Sequence, residues 1–191
     1  AGHKLKLTLD KIKQYPHGLD IGKLEPSLPE RLCTRDGKIT LLADYITKDL
    51  KRLGADQATT EADELLLIGR RHIRSNNSWM HNSQRLVKGK PRWQLLMHPE
   101  DLGARNLEHA SQVRIESRVG AVETQVFASD EVMPGVVSLP HGWGHKRAGV
   151  SMAIASEQGG VSCNDLTDHK LVDRASGNAA LNGVPVKVTA A

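Results

Sequence analysis

Leu65-Leu66-Leu67-Ile68-Gly69-Arg70-Arg71-His72-Ile73-Arg74-Ser75-Asn76-Asn77-Ser78-Trp79-Met80-His81-Asn82 joins two kinds of chemistry in one stretch. Its first four residues are apolar and bounded by Glu64 and Gly69, the pattern of a short buried strand. The remainder is a loop of hydrogen-bond donors: three arginines, two histidines, three asparagines and two serines, with no carboxylate among them. No Asp or Glu stands between Glu64 and Glu100, whereas Arg70, Arg71, Arg74, Arg85, Lys88, Lys90 and Arg92 all do. A loop of this kind after a strand suits an anion rich in acceptor atoms, such as a phosphate ester or a nucleotide.

The rest of the chain sets bounds on that reading. With 191 residues, 39% hydrophobic and 25% charged, it has the composition of an ordinary soluble protein with one sizeable core. Its apolar runs are far too short to span a membrane, and no membrane partner is expected. Residues 5–13 alternate apolar with charged and do not form a signal-peptide block. The two cysteines, Cys33 and Cys163, lie far apart, which gives neither a zinc-type spacing nor a disulfide framework. A reduced, cytoplasmic compartment is the expectation. The net charge of +4 is compatible with nucleic-acid binding, but aromatics are only 3% of the chain and the paired aromatics of RNA-binding sheets are missing. The nucleic-acid reading, a free-standing basic β-barrel, is therefore the alternative rather than the choice.

Residues 1–62 differ in character from the remainder of the chain. Pro16, Pro26 and Pro29 and the turn signals His17-Gly18 and Asp36-Gly37 suggest irregular chain. Residues 38–42 could form a strand, residues 43–53 carry a short helical pattern stopped by Gly54, and residues 55–63 read as a polar linker. This part is expected to be an extension or the tail of a preceding domain. Residues 63–191 are tidier. Strands are predicted at residues 93–97, 112–118, 122–126, 136–139 and 184–188, and Pro99, Glu100 and Asp101 open a short helix after His98. Many short strands with few small helices predict a mainly β, β-rich α+β domain, with a barrel as its natural form.

A second constellation follows the strand ending at Leu139: Pro140-His141-Gly142-Trp143-Gly144-His145, in which two glycines allow close approach of backbone. Further on come Cys163-Asn164-Asp165-Leu166-Thr167-Asp168, Ser176-Gly177 and Leu181-Asn182-Gly183-Val184-Pro185-Val186. Each has a plain reading. His141 and His145 could ligate zinc but lack a third ligand at suitable spacing. The glycines could make a tight turn, and Asn164-Asp165 could cap a helix. A hydrolase built on His141, His145 and Asp165 would need a proximity that sequence does not reveal.

Taken in order, these segments resemble the C-terminal molybdopterin-dinucleotide-binding domain of the molybdenum and tungsten oxidoreductases related to dimethyl sulfoxide reductase and formate dehydrogenase. The carriers are Leu67-Ile68-Gly69-Arg70-Arg71-His72, Ser75-Asn76-Asn77-Ser78-Trp79-Met80-His81-Asn82, Met97-His98-Pro99-Glu100-Asp101, Met133-Pro134-Gly135 through His145, and Asn164-Asp165-Leu166-Thr167-Asp168. The resemblance implies a six-stranded double-psi β-barrel preceded by an irregular N-terminal extension. It implies molybdopterin guanine dinucleotide as the cofactor, carrying Mo or W in a full-length enzyme. Gly69, Arg70, Arg71, His72, Ser75, Asn76, Asn77 and Ser78 would form a first cofactor loop. His141, Gly142, Trp143 and Gly144 would form a second, and Asn164 with Thr167 a third. Arg70 or Arg71 could grip a phosphate, and Trp79 and Trp143 could stack on the ligand or pack in the core. No catalytic or metal-ligating residue is expected here. Iron-sulfur and metal-ligating domains of the same large subunit would be the partners. The chain is expected to be a fragment or separate domain, not catalytic alone and with no cofactor retained in isolation.

Overall fold

The computed structural model describes residues 6–55 and 63–191. The chain divides into two compact units, Ala1–Thr47 and Lys48–Ala191. Up to Ala43 the described chain is irregular apart from α1 (Leu9–Lys13), whose start is capped by Thr8 Oγ1 accepting the Lys11 amide N–H at 3.2 Å. The strand expected at residues 38–42 does not form: Ile39, Leu41 and Leu42 are exposed and lie in bends and irregular chain. Apolar character alone makes no strand without a neighbouring edge to pair with. The helix expected next is present as α2 (Asp44–Ala55), and it runs through Gly54 instead of stopping before it. Most of the proposed linker lies outside the described residues.

In the second unit six strands close into a barrel. They are β1 (Leu65–Arg70), β2 (Leu95–Met97), β3 (Gln112–Glu116), β4 (Ala121–Ala128), β5 (Val136–Pro140) and β6 (Val184–Ala190), arranged β1-β5-β2-β4-β3-β6. The pairing is mixed: β1 with β5 and β2 with β4 run parallel, and the other four neighbours run antiparallel. This is the mainly β domain that the strand pattern predicts and the six-stranded barrel that the resemblance implies. Closure leaves no open edge. Short helices lie between the strands: α3 (Gln84–Val87), α4 (Pro99–Ala104) and α5 (Ala153–Glu157). The predicted start of α4 is correct, with Pro99 in its first turn and His98 Nδ1 accepting the Glu100 N–H at 3.3 Å.

Alternation along the strands fills the barrel. Val113 and Ile115 of β3 point inward while Gln112, Arg114 and Glu116 face out, and Val122, Thr124 and Val126 of β4 do the same. Leu65 and Leu67 enter the core with Leu95, Met97, Val137 and Leu139. Burying each such side chain stabilises by about 1.5–3 kcal/mol. β1 departs from its expected full burial, because Leu66 is only half-buried and Ile68 is exposed. Leu65 and Leu67 serve the core, and the end of the strand, Leu67 to Gly69, borders an open cleft.

Candidate cofactor-binding site

β1 and β5 run parallel and side by side, so the loops that leave them emerge at the same end of the barrel. The His141 amide donates to Arg70 O at 2.9 Å and carries the pairing to the last residue of β1. The first loop, residues 71–82, is a series of turns held by its own backbone, with Ser75 N–H donating to His72 O and Met80 N–H to Ser75 O. Asn76 and Asn77 adopt φ of 42° and 59°, a left-handed conformation that asparagine tolerates better than most residues. Ser75 is buried within these turns, and His72 Nδ1 accepts the Arg74 N–H at 3.1 Å. Partial desolvation, reinforced by Arg92, Arg74 and Arg70, lowers the His72 pKa and keeps the ring a neutral acceptor.

Glycines lock the second loop between the other two. Gly142 has φ +88°, and a Cβ there would lie 2.4 Å from Asn77 O. Gly144 has φ +99°, and its Cβ would lie 2.7 Å from Ser162 N. Between them Trp143, 6% exposed, stacks on His81, 1% exposed, with ring centroids 3.9 Å apart. His81 Nδ1 lies 2.9 Å from His145 Nε2. Burial, and secondly the nearby His145, push the His81 pKa down to about 4, so the pair is neutral at physiological pH. Asn82 Oδ1 accepts the amides of Ile154 and Ala155 and so caps α5 from across the fold.

The third loop is pinned from the far side. A Cβ on Gly120, in the β3–β4 turn, would stand 2.4 Å from Asp165 O. Arg118 Nε donates to Asp168 at 2.5 Å and holds the Asp168 carboxyl down at about 2, helped by the Lys170 amide. Asp165 pairs with Arg147. Asn164 lies inside a short 3-10 turn, Cys163–Asp165, whose N-cap is Ser162. The helix-cap reading of Asn164-Asp165 therefore fails, because neither residue stands at the turn's start.

These loops border a cleft open to solvent. It is lined by Leu67, Ile68 and Gly69 of β1 and by Arg71, by His141 of the second loop, by Cys163, Asn164 and Thr167 of the third, and by Leu181 and Asn182. Five of the residues singled out from sequence thus meet: Gly69, Arg71, His141, Asn164 and Thr167. Arg70 does not line the cleft. Its Nη1 donates to Ser138 O and its Nη2 to Gln94 O, both at 2.9 Å, which ties β1 to β5 and to the approach to β2. Arg71 is exposed and donates one Nη1–H to Asn77 Oδ1 at 2.6 Å. His72, Asn76, Asn77 and Ser78 form the rim of the first loop, while Gly142, Trp143 and Gly144 form the packing behind it. Trp143 packs in the interior, whereas Trp79 is 84% exposed.

Asn182, quoted with the second constellation but given no place in the three expected cofactor loops, is also a cleft residue. Its Oδ1 accepts the Gly69 N–H at 2.7 Å. The signal that could have found it is the Asn-Gly turn immediately before the final strand. Among the described residues no group of three His, Cys, Asp or Glu could hold a metal ion. His141, His145 and Asp165 have separate partners: the Cys163 thiol, His81 and Arg147. No helix among the described residues is long and apolar enough to cross a membrane.

The fold is a small mixed β-barrel whose loops meet around a cleft with no Asp or Glu among its described lining residues. Residues 65–185 match the model of the molydopterin dinucleotide binding domain, and the chain belongs to that family. It is 31% identical over 121 residues to a tetrathionate reductase subunit of Salmonella typhimurium, an alignment covering 54% of this chain and 12% of that protein. Acetylene hydratase from Pelobacter acetylenicus shares the fold with a TM-score of 0.57 and 19% identity over 66% of this chain, which corresponds to 18% of the hydratase. The chain therefore spans less than a fifth of each of these relatives.

Proposed function

We propose that this domain holds part of a molybdopterin guanine dinucleotide as the C-terminal domain of a larger molybdenum or tungsten oxidoreductase. The observation that carries the reading is the meeting of Gly69, Arg71, His141, Asn164 and Thr167, drawn from three distant segments, around one cleft. The donor set fits the ligand's phosphates, since Arg71 offers a planar charged fork and Asn164 and Asn182 carry neutral amide N–H groups. The glycine contacts fix the cradle before a ligand arrives, and such preorganisation favours binding. When bound, the cofactor supplies the dithiolene sulfurs and the redox metal, and this chain binds and orients it.

Within the proposed first loop, Arg71 takes the phosphate while Arg70 braces the barrel beneath it. His72, Ser75, Asn76, Asn77 and Ser78 shape the rim. Gly142, Trp143 and Gly144 hold the second loop against that rim. The partners are the iron-sulfur and metal-ligating domains of the same large polypeptide, and catalysis belongs to the assembled enzyme. Family membership favours this reading over a nucleic-acid-binding barrel. Titration with guanosine diphosphate tests it: amide shifts are expected at residues 69–82, 141–145, 164–167 and 182. Shifts confined to other parts of the chain would remove the site.

A further inference from the structure

The strand directions sort every connection of the barrel to one of its two ends. β1 and β5 run parallel and finish at the cleft. β2 runs antiparallel to β5 and β6 antiparallel to β1, so both start there, and β3 passes into β4 there through the turn at Gly120. Residues 71–94, 117–120 and 141–183 therefore leave and rejoin the barrel at the cleft end. Residues 98–111 and 129–135 connect strands at the opposite end.

Charge follows that division. The cleft-end connections hold eleven lysines and arginines against four acids, and the opposite end holds one arginine against five acids. Neutralisation within each end widens the difference. At the cleft end Asp165 pairs with Arg147 and Asp168 with Arg118, while Arg71, Arg74, Arg85, Lys88 and Lys90 are exposed and form no ion pair with any described residue. At the opposite end the one cation, Arg105, pairs with Asp101, which leaves Glu100, Glu108 and Asp130 exposed and unpaired among the described residues. Of the five free cations only Arg71 lines the cleft. The other four are too many to be ligands of that cleft, yet they share its end of the barrel.

A charge that does not touch a bound anion still acts on it through the field. Such a field raises the rate of encounter, fades with salt, and leaves the lifetime of the bound state to the groups in contact. We propose that the cleft end is a steering surface for a ligand with several phosphate charges. Arg74, Arg85, Lys88 and Lys90 speed its capture and turn its phosphates toward Arg71, and they take no part in holding it once bound. The acidic far end works in the same sense by disfavouring encounter there. This rests on the proposed cofactor function and gives a role to charges that the cleft itself does not use.

The test is stopped-flow mixing of the 191-residue chain with methylanthraniloyl-labelled guanosine diphosphate at low and high salt, with unlabelled guanosine diphosphate as competitor. Between about 20 mM and about 500 mM salt, kon is expected to fall by about tenfold or more while koff stays within about twofold. A variant combining Arg74→Gln, Arg85→Gln, Lys88→Gln and Lys90→Gln should lose about tenfold in kon at low salt, keep koff within about twofold, and converge on the native chain at high salt. Arg71→Gln, which removes a contact, should weaken affinity by about tenfold, mainly through koff. Combining Glu100→Gln, Glu108→Gln and Asp130→Asn tests placement against net charge, and kon should stay within about twofold. A fourfold variant that raises koff and keeps kon would make those cations contacts. A far-end variant that raises kon as much as the fourfold variant lowers it would make net charge the cause. Either result overturns the inference and leaves the cofactor site standing. No competable signal from the native chain at either salt would overturn the site and the inference together.

Discussion

Replacing Gly142 with alanine tests the contact on which the cradle depends. The residue sits at φ +88°, and a Cβ there would stand 2.4 Å from Asn77 O, 2.6 Å from Asn77 C and 3.0 Å from Ser78 N. All three are backbone atoms, so no side-chain rotation relieves the clash. Restoring an ordinary separation of about 3.5 Å requires the first and second loops to part by about 1 Å. Gly135→Ala is the internal control, since Gly135 has φ +82° but nothing within 4 Å of its would-be Cβ. Both variants carry the cost of a non-glycine residue at positive φ, about 1–3 kcal/mol. Only Gly142→Ala adds the overpacking cost, also about 1–3 kcal/mol.

Urea unfolding should therefore place Gly142→Ala below Gly135→Ala by about 1–3 kcal/mol, with melting temperatures separated by roughly 2–4 °C per kcal/mol. Parting the loops also draws Arg71 away from His141, so the affinity for guanosine diphosphate should fall by about tenfold in Gly142→Ala and hold in Gly135→Ala. Equal destabilisation of the two variants, with the Asn77 and Ser78 amide resonances unmoved, would refute the close approach and the cradle built on it.

Three further outcomes follow from the same geometry. His81, lowered from its ordinary 6.5 to about 4, favours the neutral ring in the fold. The stability it contributes is whole above pH 6.5 and declines as the pH falls towards 4, by at most about 3 kcal/mol; urea midpoints against pH should show that limb in the native chain and lose it in His81→Phe. The Asp168 carboxyl, held at about 2 by Arg118, contributes stability present above 3.8 and lost as the pH falls through 2. Arg118→Ala should move the Asp168 carboxyl titration up towards 3.8 in a carbon-detected experiment. Arg70→Gln should destabilise the fold by about 1.5–3 kcal/mol in urea, because two carbonyls lose charged donors, yet change diphosphate affinity by less than about twofold.

The barrel is legible in sequence wherever one face of a strand is core and the other solvent. Val113 and Ile115, then Val122 and Val126, announce their strands by alternation, and Gly120 announces the turn between them. Legibility fails where the pattern depends on distant neighbours. Residues 38–42 look like a strand and lack a pairing edge, whereas α3 and α5 are too short for a helical period to register. Asn82 and Asn182 have their roles fixed by partners far along the chain, the α5 amides and the Gly69 N–H. These contacts join residues at least 72 positions apart, so no local window of sequence contains them.

The choice between Arg70 and Arg71 turns on the same point. From sequence the apolar run, and with it β1, ends at Ile68, which leaves both arginines in the loop as equivalent phosphate ligands. In the structure β1 continues through Gly69 and Arg70, because the parallel ladder with β5 extends to Pro140 and the His141 amide still finds Arg70 O. Two more residues of strand place Arg70 under the rules of a sheet, where side chains alternate between faces. It shares its parity with Leu66 and Ile68, and its guanidinium reaches over β5 to bond Ser138 O and Gln94 O. Partial burial lowers its pKa, the mark of a charge held among barrel carbonyls and drawn away from solvent. Arg71 is the first residue beyond the ladder, exposed and beside the cleft. The length of one strand therefore separates a brace from a ligand-facing charge, and the opposite responses expected of Arg70→Gln and Arg71→Gln measure that separation directly.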